Sequence, residues 1–510
     1  MADQTPILEA SASLQTENPW LKKHVLTFDG GGVRGYYSLL FMQRLMRFIE
    51  LEENDRGPIG GIGANQHVNS FSPCEQPSNL SHLDDNDYTT FLPCHYFDYI
   101  AGTSTGGLIA IMLGRFRMTV EDCIDEYKNL AGRVFGHPRH LYDMDTFGLI
   151  KRCKYDTKNF EDVIKDVIVR RVEGGRDNPQ NARFDIEYGL CRVFVIANTI
   201  ESEGIVTGLR FFRSYEINPC PNPESEQNSY TEEIRAKYNG RPGDVCVWHV
   251  ARATTAAPMY FEPLELLVDG NIKRPRNNTR LSHSPTVLHR PQSPQVEKLQ
   301  DGGFGAANNP SKEMLDELHW QLPKNMGVGT FVSIGTARSP EEPRGSRLQR
   351  IIMDSIQRLG DPEQIHQHME RVKKDRNISY HRFNQPNGVV GVKMDDWKPR
   401  PTGEDTIKAI KAAFDGFAGD TEIVKDLRQC AKELVDARRS RVEKDMVKWK
   451  RFALGRHFYC RMKDCPDDDY RREVDEVKFI AHLKEGHRMR DDEIEDALMH
   501  CEGQWTYRGR

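Results

Sequence analysis

The first uninterrupted apolar run is HVLTF at 24–28, long enough for one buried strand. It runs into DGGGVRG at 29–35, after which residues 36–49 place leucine, methionine and phenylalanine at helical spacing. The pattern predicts strand, glycine turn, helix. It recurs at 96–113, where a short apolar strand (96–101) meets GTSTG at 102–106 and then a small, apolar run (107–113) suited to start a helix against a sheet. Thr119, with an acid three residues on, reads as the N-cap of a helix reaching about 135. Residues 156–172 form a second amphipathic helix. CRVFVIA at 191–197 is apolar at nearly every position and rich in β-branched residues, as a strand covered on both faces is. A further strand is read at 211–215, an alanine-rich helix ended by Pro258 at 247–258, and a last buried strand at 331–336.

Between these elements lie polar stretches without periodicity. Residues 1–21 read as a tail, and 51–94 and 270–295, rich in Gly, Pro, Asn, Ser and Asp, as surface insertions. From 346 the pattern changes to charged helical segments at 346–359, 405–417 and 421–454. This divides the chain into a main domain at 22–345, a helical region at 346–454 with an apolar stripe docked on it and open to a protein partner, and a cysteine- and histidine-bearing segment at 455–510.

Composition narrows the classes. At 510 residues the chain exceeds one compact core, and a net charge of −5 gives no footprint for nucleic acid. No apolar run reaches the length of a membrane span and no signal core opens the chain, so a cytoplasmic protein, peripheral at membranes if it meets them, is expected. Eleven cysteines, odd in number and mostly in apolar or helical stretches, read as buried thiols.

Three short motifs carry chemistry. In GTSTG, Ser104 sits on a strand-to-helix turn where Gly102 and Gly106 leave room for an exposed hydroxyl. The spacing Gly30-x-Gly32-x-x-Gly35 also matches a dinucleotide fingerprint, but three consecutive glycines followed by Arg34 suit a loop whose amides converge on one oxyanion. At DGG 301–303, Asp301 beside Gly302 and Gly303 stands where a carboxylate can turn back into a cleft; an ordinary Asp-Gly turn is the competing account. Arg252 reads as a helix-surface charge. His319, on an amphipathic helix, reads as a surface histidine and not as the third member of a Ser-His-Asp triad.

Taken in order, DGGGVRG, GTSTG and DGG resemble the patatin-like phospholipases, and ARATTAAPMYF at 251–261 and SIGT at 333–336 are similar to that family as well. The resemblance covers about 22–340. It implies a three-layer α/β/α sandwich, here with a mainly helical C-terminal region, and lipid acyl hydrolysis of the phospholipase, lysophospholipase or triacylglycerol lipase type. Ser104 would be the nucleophile, Asp301 its base, and Gly30, Gly31 and Gly32 the oxyanion hole. No cofactor and no calcium are implied for catalysis. The substrate would be a glycerolipid or phospholipid at a membrane or lipid-droplet surface. Arg34 either steadies the loop or faces a phosphate. A patatin-fold binding module acting through its C-terminal region, and a lipid transacylase, are the alternatives.

Near the C-terminus, Cys460 and Cys465 are followed after sixteen residues by His482 and His487. Two thiolates from a turn and two imidazoles on one helix face suit a tetrahedral zinc ion, and the segment resembles a two-Cys two-His zinc finger with a longer, acidic gap. His457 and Cys501 are alternative partners, and two buried cysteines with two surface histidines is the plain account.

Overall fold

The computed structural model describes residues 18–57, 91–139, 153–171, 182–186, 189–201, 205–216, 242–268, 295–305, 307–337, 361–463, 465 and 476–504. β1 (Lys22–Phe28) leads through the glycine turn into α1 (Gly35–Arg56), and β2 (Tyr99–Thr103) turns at Ser104 into α2 (Thr105–Ala110), which continues as one π-helical turn, Ile111–Arg115. There follow α3 (Val120–Phe135), α4 (Thr157–Arg171), β3 (Arg192–Ile200), β4 (Val206–Arg213), α5 (Val247–Thr254), β5 (Leu264–Val268), β6 (Gln295–Asp301), α6 (Ser311–Gln321) and β7 (Gly327–Ile334). Then come α7 (Pro362–Asp375), β8 (Ser379–Phe383), α8 (Glu404–Ala418), α9 (Thr421–Lys444), α10 (Met446–Leu454), β9 (Arg456–Phe458), α11 (Glu476–Glu485), α12 (Asp491–Cys501) and β10 (Glu502–Gln504).

β1 to β8 form one mixed sheet. β3, β2, β1, β7 and β8 run parallel to their neighbours, while β4 and β6 pair antiparallel with β3, and β5 antiparallel with β6. The two-residue period of the strands divides their side chains between two cores. Val25, Tyr99, Ala101, Phe194 and Ile196 face one that also holds Leu315 and Leu318 of α6 and Met369 of α7. Leu26, Phe28, Ile100, Val193 and Val195 face the other, shared with α1 to α5 and α8 to α10. Helices on both faces of a mixed sheet make the α/β/α sandwich.

The sheet and its core continue past residue 345. Phe383 of β8, hydrogen-bonded beside β7, stacks on Phe41 of α1 at 5.8 Å, and Phe414 of α8 meets Phe41 edge-on at 5.0 Å. Removing so enclosed a ring typically costs about 3–5 kcal/mol. α9 lays its apolar stripe along α1, where Arg438 and Arg439 clasp the buried Glu53 at 2.9 and 2.7 Å. That stripe is therefore used within the chain. The clasp also explains why α1 runs on to Arg56, into the stretch expected as an insertion: Glu53 is a helix residue with two guanidinium partners.

Of the two expected insertions, 58–90 and 269–294 lie outside the described residues, whereas Phe91, Leu92 and Cys94 belong to the core. The tail at 1–17 and the helix expected at 346–359 also lie outside them. Trp20, expected in the tail, is buried against Phe452 of α10 at 5.5 Å. The long helical run at 421–454 is broken at Asp445, whose carboxylate accepts from the Lys448 amide and caps α10. Among the described residues no helix is long and apolar enough to cross a membrane.

Candidate active site

Every residue singled out in the three motifs comes to the C-terminal ends of β1, β2 and β6, the edge where sheets with parallel strands commonly gather ligands. Ser104, the residue after β2, has φ 57 and ψ −128, a conformation costing a non-glycine residue about 1–3 kcal/mol. The turn is held by close backbone approach. A Cβ on Gly106 would lie 2.4 Å from the Phe28 carbonyl oxygen, and one on Gly102 would lie 2.1 Å from that of Gly106. The Ser104 amide donates to Thr254 Oγ1 at 2.8 Å, and Thr254 Oγ1 donates in turn to the Ile196 carbonyl at 2.6 Å, so α5 and β3 fix the elbow from behind.

The Ser104 hydroxyl donates to Asp301 Oδ2 at 2.6 Å. The other carboxylate oxygen accepts from the Gly303 amide at 2.8 Å, and the Asp301 carbonyl accepts from Asn198 Nδ2 at 2.7 Å. Gly302 passes close over the Ile196 carbonyl. Burial dominates the electrostatics of Asp301: it pushes the carboxyl up to about 7, and the bonds from Ser104 and Gly303 offset only part of that. His319 is exposed on α6, so no imidazole completes a triad from that position.

The glycine loop divides its tasks. Gly30 donates its amide to the Asn308 carbonyl at 3.1 Å and Gly31 to Thr105 Oγ1 at 3.2 Å, so both are engaged in holding the loop. Gly32, at φ +59, borders the pocket, and its carbonyl accepts from the Tyr127 hydroxyl. A Cβ on Gly32 would fall 1.9 Å from the Met394 carbonyl oxygen, so only glycine fits there. Arg34 is buried and donates from Nε to the Gly31 carbonyl at 3.3 Å, which is the loop-steadying role; Gly35 opens α1.

Much of what holds this loop comes from beyond the motifs. The Val33 amide donates to the Met394 carbonyl at 2.7 Å, so the strap 384–403 lies directly over the loop. Asp395 on the same strap lines the pocket, accepts from the Tyr155 hydroxyl at 2.8 Å and pairs with Lys154. Asp29, first of the glycine motif, is gripped by Arg382 of β8 through two parallel bonds of 2.9 and 2.7 Å. The sequence reading named none of Arg382, Met394, Asp395, Asn198 or Asn308. Thr254 lay within a segment that it did quote.

Above Ser104 and Asp301 opens a narrow pocket, partly open to solvent. Its walls are apolar, with Leu108, Leu130, Phe135, Phe160 and Phe261 among them. Arg252, expected on the surface, is instead fully buried behind this wall: it donates to the Glu262 carbonyl, lies 3.5 Å from Glu161 and sits over the Phe261 ring. α5 packs Val247, Val250, Ala251 and Ala253 into the core, and Arg252 is enclosed along with them.

In the C-terminal segment, the donor atoms of Cys460, Cys465, His482 and His487 all lie within 4.8 Å of one another. One detail differs from expectation: α11 ends at Glu485, and His487 reaches the set from the turn beyond it, not from the helix face that carries His482. Cys501 is buried at the end of α12 and lies outside the set, and His457 is on β9.

A family model described as patatin-like phospholipase matches residues 26–315. The chain is 25% identical over 353 residues to calcium-independent phospholipase A2-gamma of Homo sapiens, covering 67% of this chain and 32% of that protein. It is 24% identical over 412 residues to Phospholipase A I of Arabidopsis thaliana, covering 74% and 25%. It is 24% identical over 376 residues to Patatin-like phospholipase 1 of Plasmodium falciparum, covering 71% and 43%. The chain thus spans about a third of the length of the first of these relatives and less than half of the others.

Proposed function

The chain belongs to the patatin-like phospholipase family, and from that premise we propose that it is a lipid acyl hydrolase in which Ser104 and Asp301 form the catalytic dyad. The observation that carries this reading is the 2.6 Å bond from the Ser104 hydroxyl to a buried carboxylate at the floor of an apolar cavity. A carboxyl near 7 is matched to its task, since it is substantially ionised at neutral pH yet basic enough to accept a serine proton.

As Ser104 Oγ attacks the ester carbonyl, its proton passes to Asp301. The negative charge that develops on the carbonyl oxygen is met at Gly32, the glycine of the three that borders the pocket, while Gly30 and Gly31 keep the loop in place. When the intermediate collapses, the alcohol or lysolipid leaves with the proton from Asp301. Water then attacks the acyl-serine, giving its proton to Asp301, and Ser104 recovers a proton as the fatty acid departs. The apolar walls take the acyl chain. The relatives' names favour phospholipid as the first substrate class to try, and they fit a reaction without calcium. The enzyme would reach its lipid from the cytoplasmic side of a membrane or lipid-droplet surface. A metal ion has no part in this scheme: the convergent Cys and His donors belong to the C-terminal segment, not to the pocket lining.

The test is fatty-acid release from phospholipid and triacylglycerol vesicles in chelator, for wild type, Ser104→Ala and Asp301→Asn. Activity in the wild type that disappears in both variants supports the dyad. Wild-type levels in Ser104→Ala would refute it. Acyl transfer to an added alcohol acceptor in preference to water would make the enzyme a transacylase.

A further inference from the structure

We propose that Cys460, Cys465, His482 and His487 hold one zinc ion, and that this ion is what folds the segment 455–504. The argument begins with how little else that segment has. Among the described residues its core comprises Phe458, Cys460, Phe479, Leu483, Ile494, Ala497 and Cys501, with Met462, Ile480, Met489 and Leu498 partly buried against it and the rings of Phe458 and Phe479 stacked 5.6 Å apart. β9 and β10 contribute three residues each. Apolar groups this few contribute about 1.5–3 kcal/mol apiece when fully enclosed, against an ordering cost of about 1–2 kcal/mol for every backbone residue fixed. Segments of this size commonly need a metal or disulfides.

The four side chains already have the geometry that such an ion asks for. Cys460 Sγ is 3.3 Å from His487 Nε2, Cys465 Sγ is 3.5 Å from His482 Nε2, and the two Nε2 atoms are 3.1 Å apart. Around a tetrahedral zinc ion with its usual bond lengths, donors stand about 3.3 to 3.8 Å from one another; these three edges come close to that, and all four donor atoms lie within 4.8 Å of one another, so a small inward shift completes the tetrahedron. Two thiols and two imidazoles drawn from three separate stretches of chain thus point at one centre. The set is also neutral once loaded: each thiol yields its proton to solvent, and two thiolates balance one divalent cation. Cys460 and His482 are buried, and a neutral site is one that a buried position tolerates.

The local chain is shaped to deliver the ligands. β9 feeds the turn that carries both cysteines, and α11 presents His482 beside Phe479 on its inner face. The chain then reverses at Gly486, whose amide donates to the His482 carbonyl at 2.8 Å; a Cβ there would press on the His482 ring at 3.1 Å. That reversal brings His487 round. Upstream, Gly455, at φ +64, joins the segment to α10, whose Trp449, Phe452 and Ala453 are locked in the main core. The ion would thus order a small module fastened by one residue to the main domain.

The measurement is elemental analysis of the full-length chain after gel filtration, together with cobalt substitution and backbone hydrogen exchange. One zinc per chain is expected. Cobalt in its place should give the visible bands of a tetrahedral ion with thiolate charge transfer. Cys460→Ser and His487→Gln should each lose the metal, while Cys153→Ser, outside the set, should keep it. On chelation, amides of α11 should lose their exchange protection while those of β2 retain theirs, a contrast that does not depend on catalysis. The proposal is overturned by a chain that takes up neither zinc nor cobalt, by ligand variants that keep the metal, by α11 equally protected with and without it, or by a disulfide between Cys460 and Cys465.

Discussion

Ser104 with Asp301 and the four donors near the C-terminus are both clusters of reactive side chains on tight turns, but their surroundings differ. The first pair stands on strand ends between two large cores, and every neighbouring backbone segment is tied down by another: the elbow by Thr254, the glycine loop by Asn308, Thr105 and Met394, and its first residue by Arg382. Among the described residues, the second cluster has six other buried apolar residues behind it. Packing can therefore hold a strained serine and a partly uncharged aspartate in place at some cost to stability, whereas in the small segment the ligands themselves must supply the order. Chemistry that needs a costly arrangement is placed where the fold has stability to spare.

The sharpest way to break this contrast is Ser104→Ala. Ester hydrolysis should fall at least about a thousandfold while thermal stability holds or rises, because the alanine removes the nucleophile without touching the packing; hydrolysis rates and Tm decide it. Gly32→Ala comes next, with an expected loss of about a hundredfold or more in kcat, since a methyl group directed at the Met394 carbonyl displaces the loop that meets the oxyanion. On stability the strongest probe is Arg382→Met. It leaves Asp29 buried without its cation and should cost about 3–5 kcal/mol in denaturant unfolding, with Asp29→Asn in the same chain recovering part of the loss.

The pH profile gives a finer test. Asp301 must be ionised to take the proton, so kcat/KM should rise with pH through about 7 and then level off. Its pKa is raised in the folded chain, so the native state keeps a proton that the unfolded state releases. The resulting stabilisation is complete below the ordinary carboxylate range and is lost as pH rises through about 7. Asp301→Asn should accordingly be inactive yet gain in Tm over the wild type as the medium goes from acid to mildly alkaline. The smallest effect belongs to the other region: Cys460→Ser should change kcat no more than a few fold while abolishing metal uptake, and a large loss of kcat there would show the two regions to be coupled.

What could be read from the sequence follows the range of the interactions. Ser104 and the glycine loop stood out because their turns are written in adjacent residues, whereas Asp301, which alone reads as an ordinary Asp-Gly turn, and the sandwich followed from the resemblance carried by the three motifs in order. Arg382 gripping Asp29 joins residues 353 positions apart, and the strap holds the loop through the Met394 carbonyl, which accepts from the Val33 amide; neither leaves a local mark. β8, whose sequence is SYHRF, escaped notice because its polar side chains are enclosed through ion pairs, Arg382 with the buried Asp29 and His381 with the half-buried Asp426 and Glu433. Arg252 was misread because periodicity cannot tell which side of an alanine-rich helix is covered. The position of His487 turned on where α11 stops, a boundary of one or two residues.

The strap over Gly32 also sets an order in time. A chain growing on the ribosome releases the glycine loop first, the serine turn next, and the aspartate some two hundred residues later. The parts that hold that first loop, β8 and the segment through Gly403, are made later still. Ser104 and Asp301 are thus both made while the loop beside them still lacks its cover. The loop is covered only once synthesis has passed about residue 403, so a fragment cut at the edge of the family match would carry both Ser104 and Asp301 with the glycine loop open.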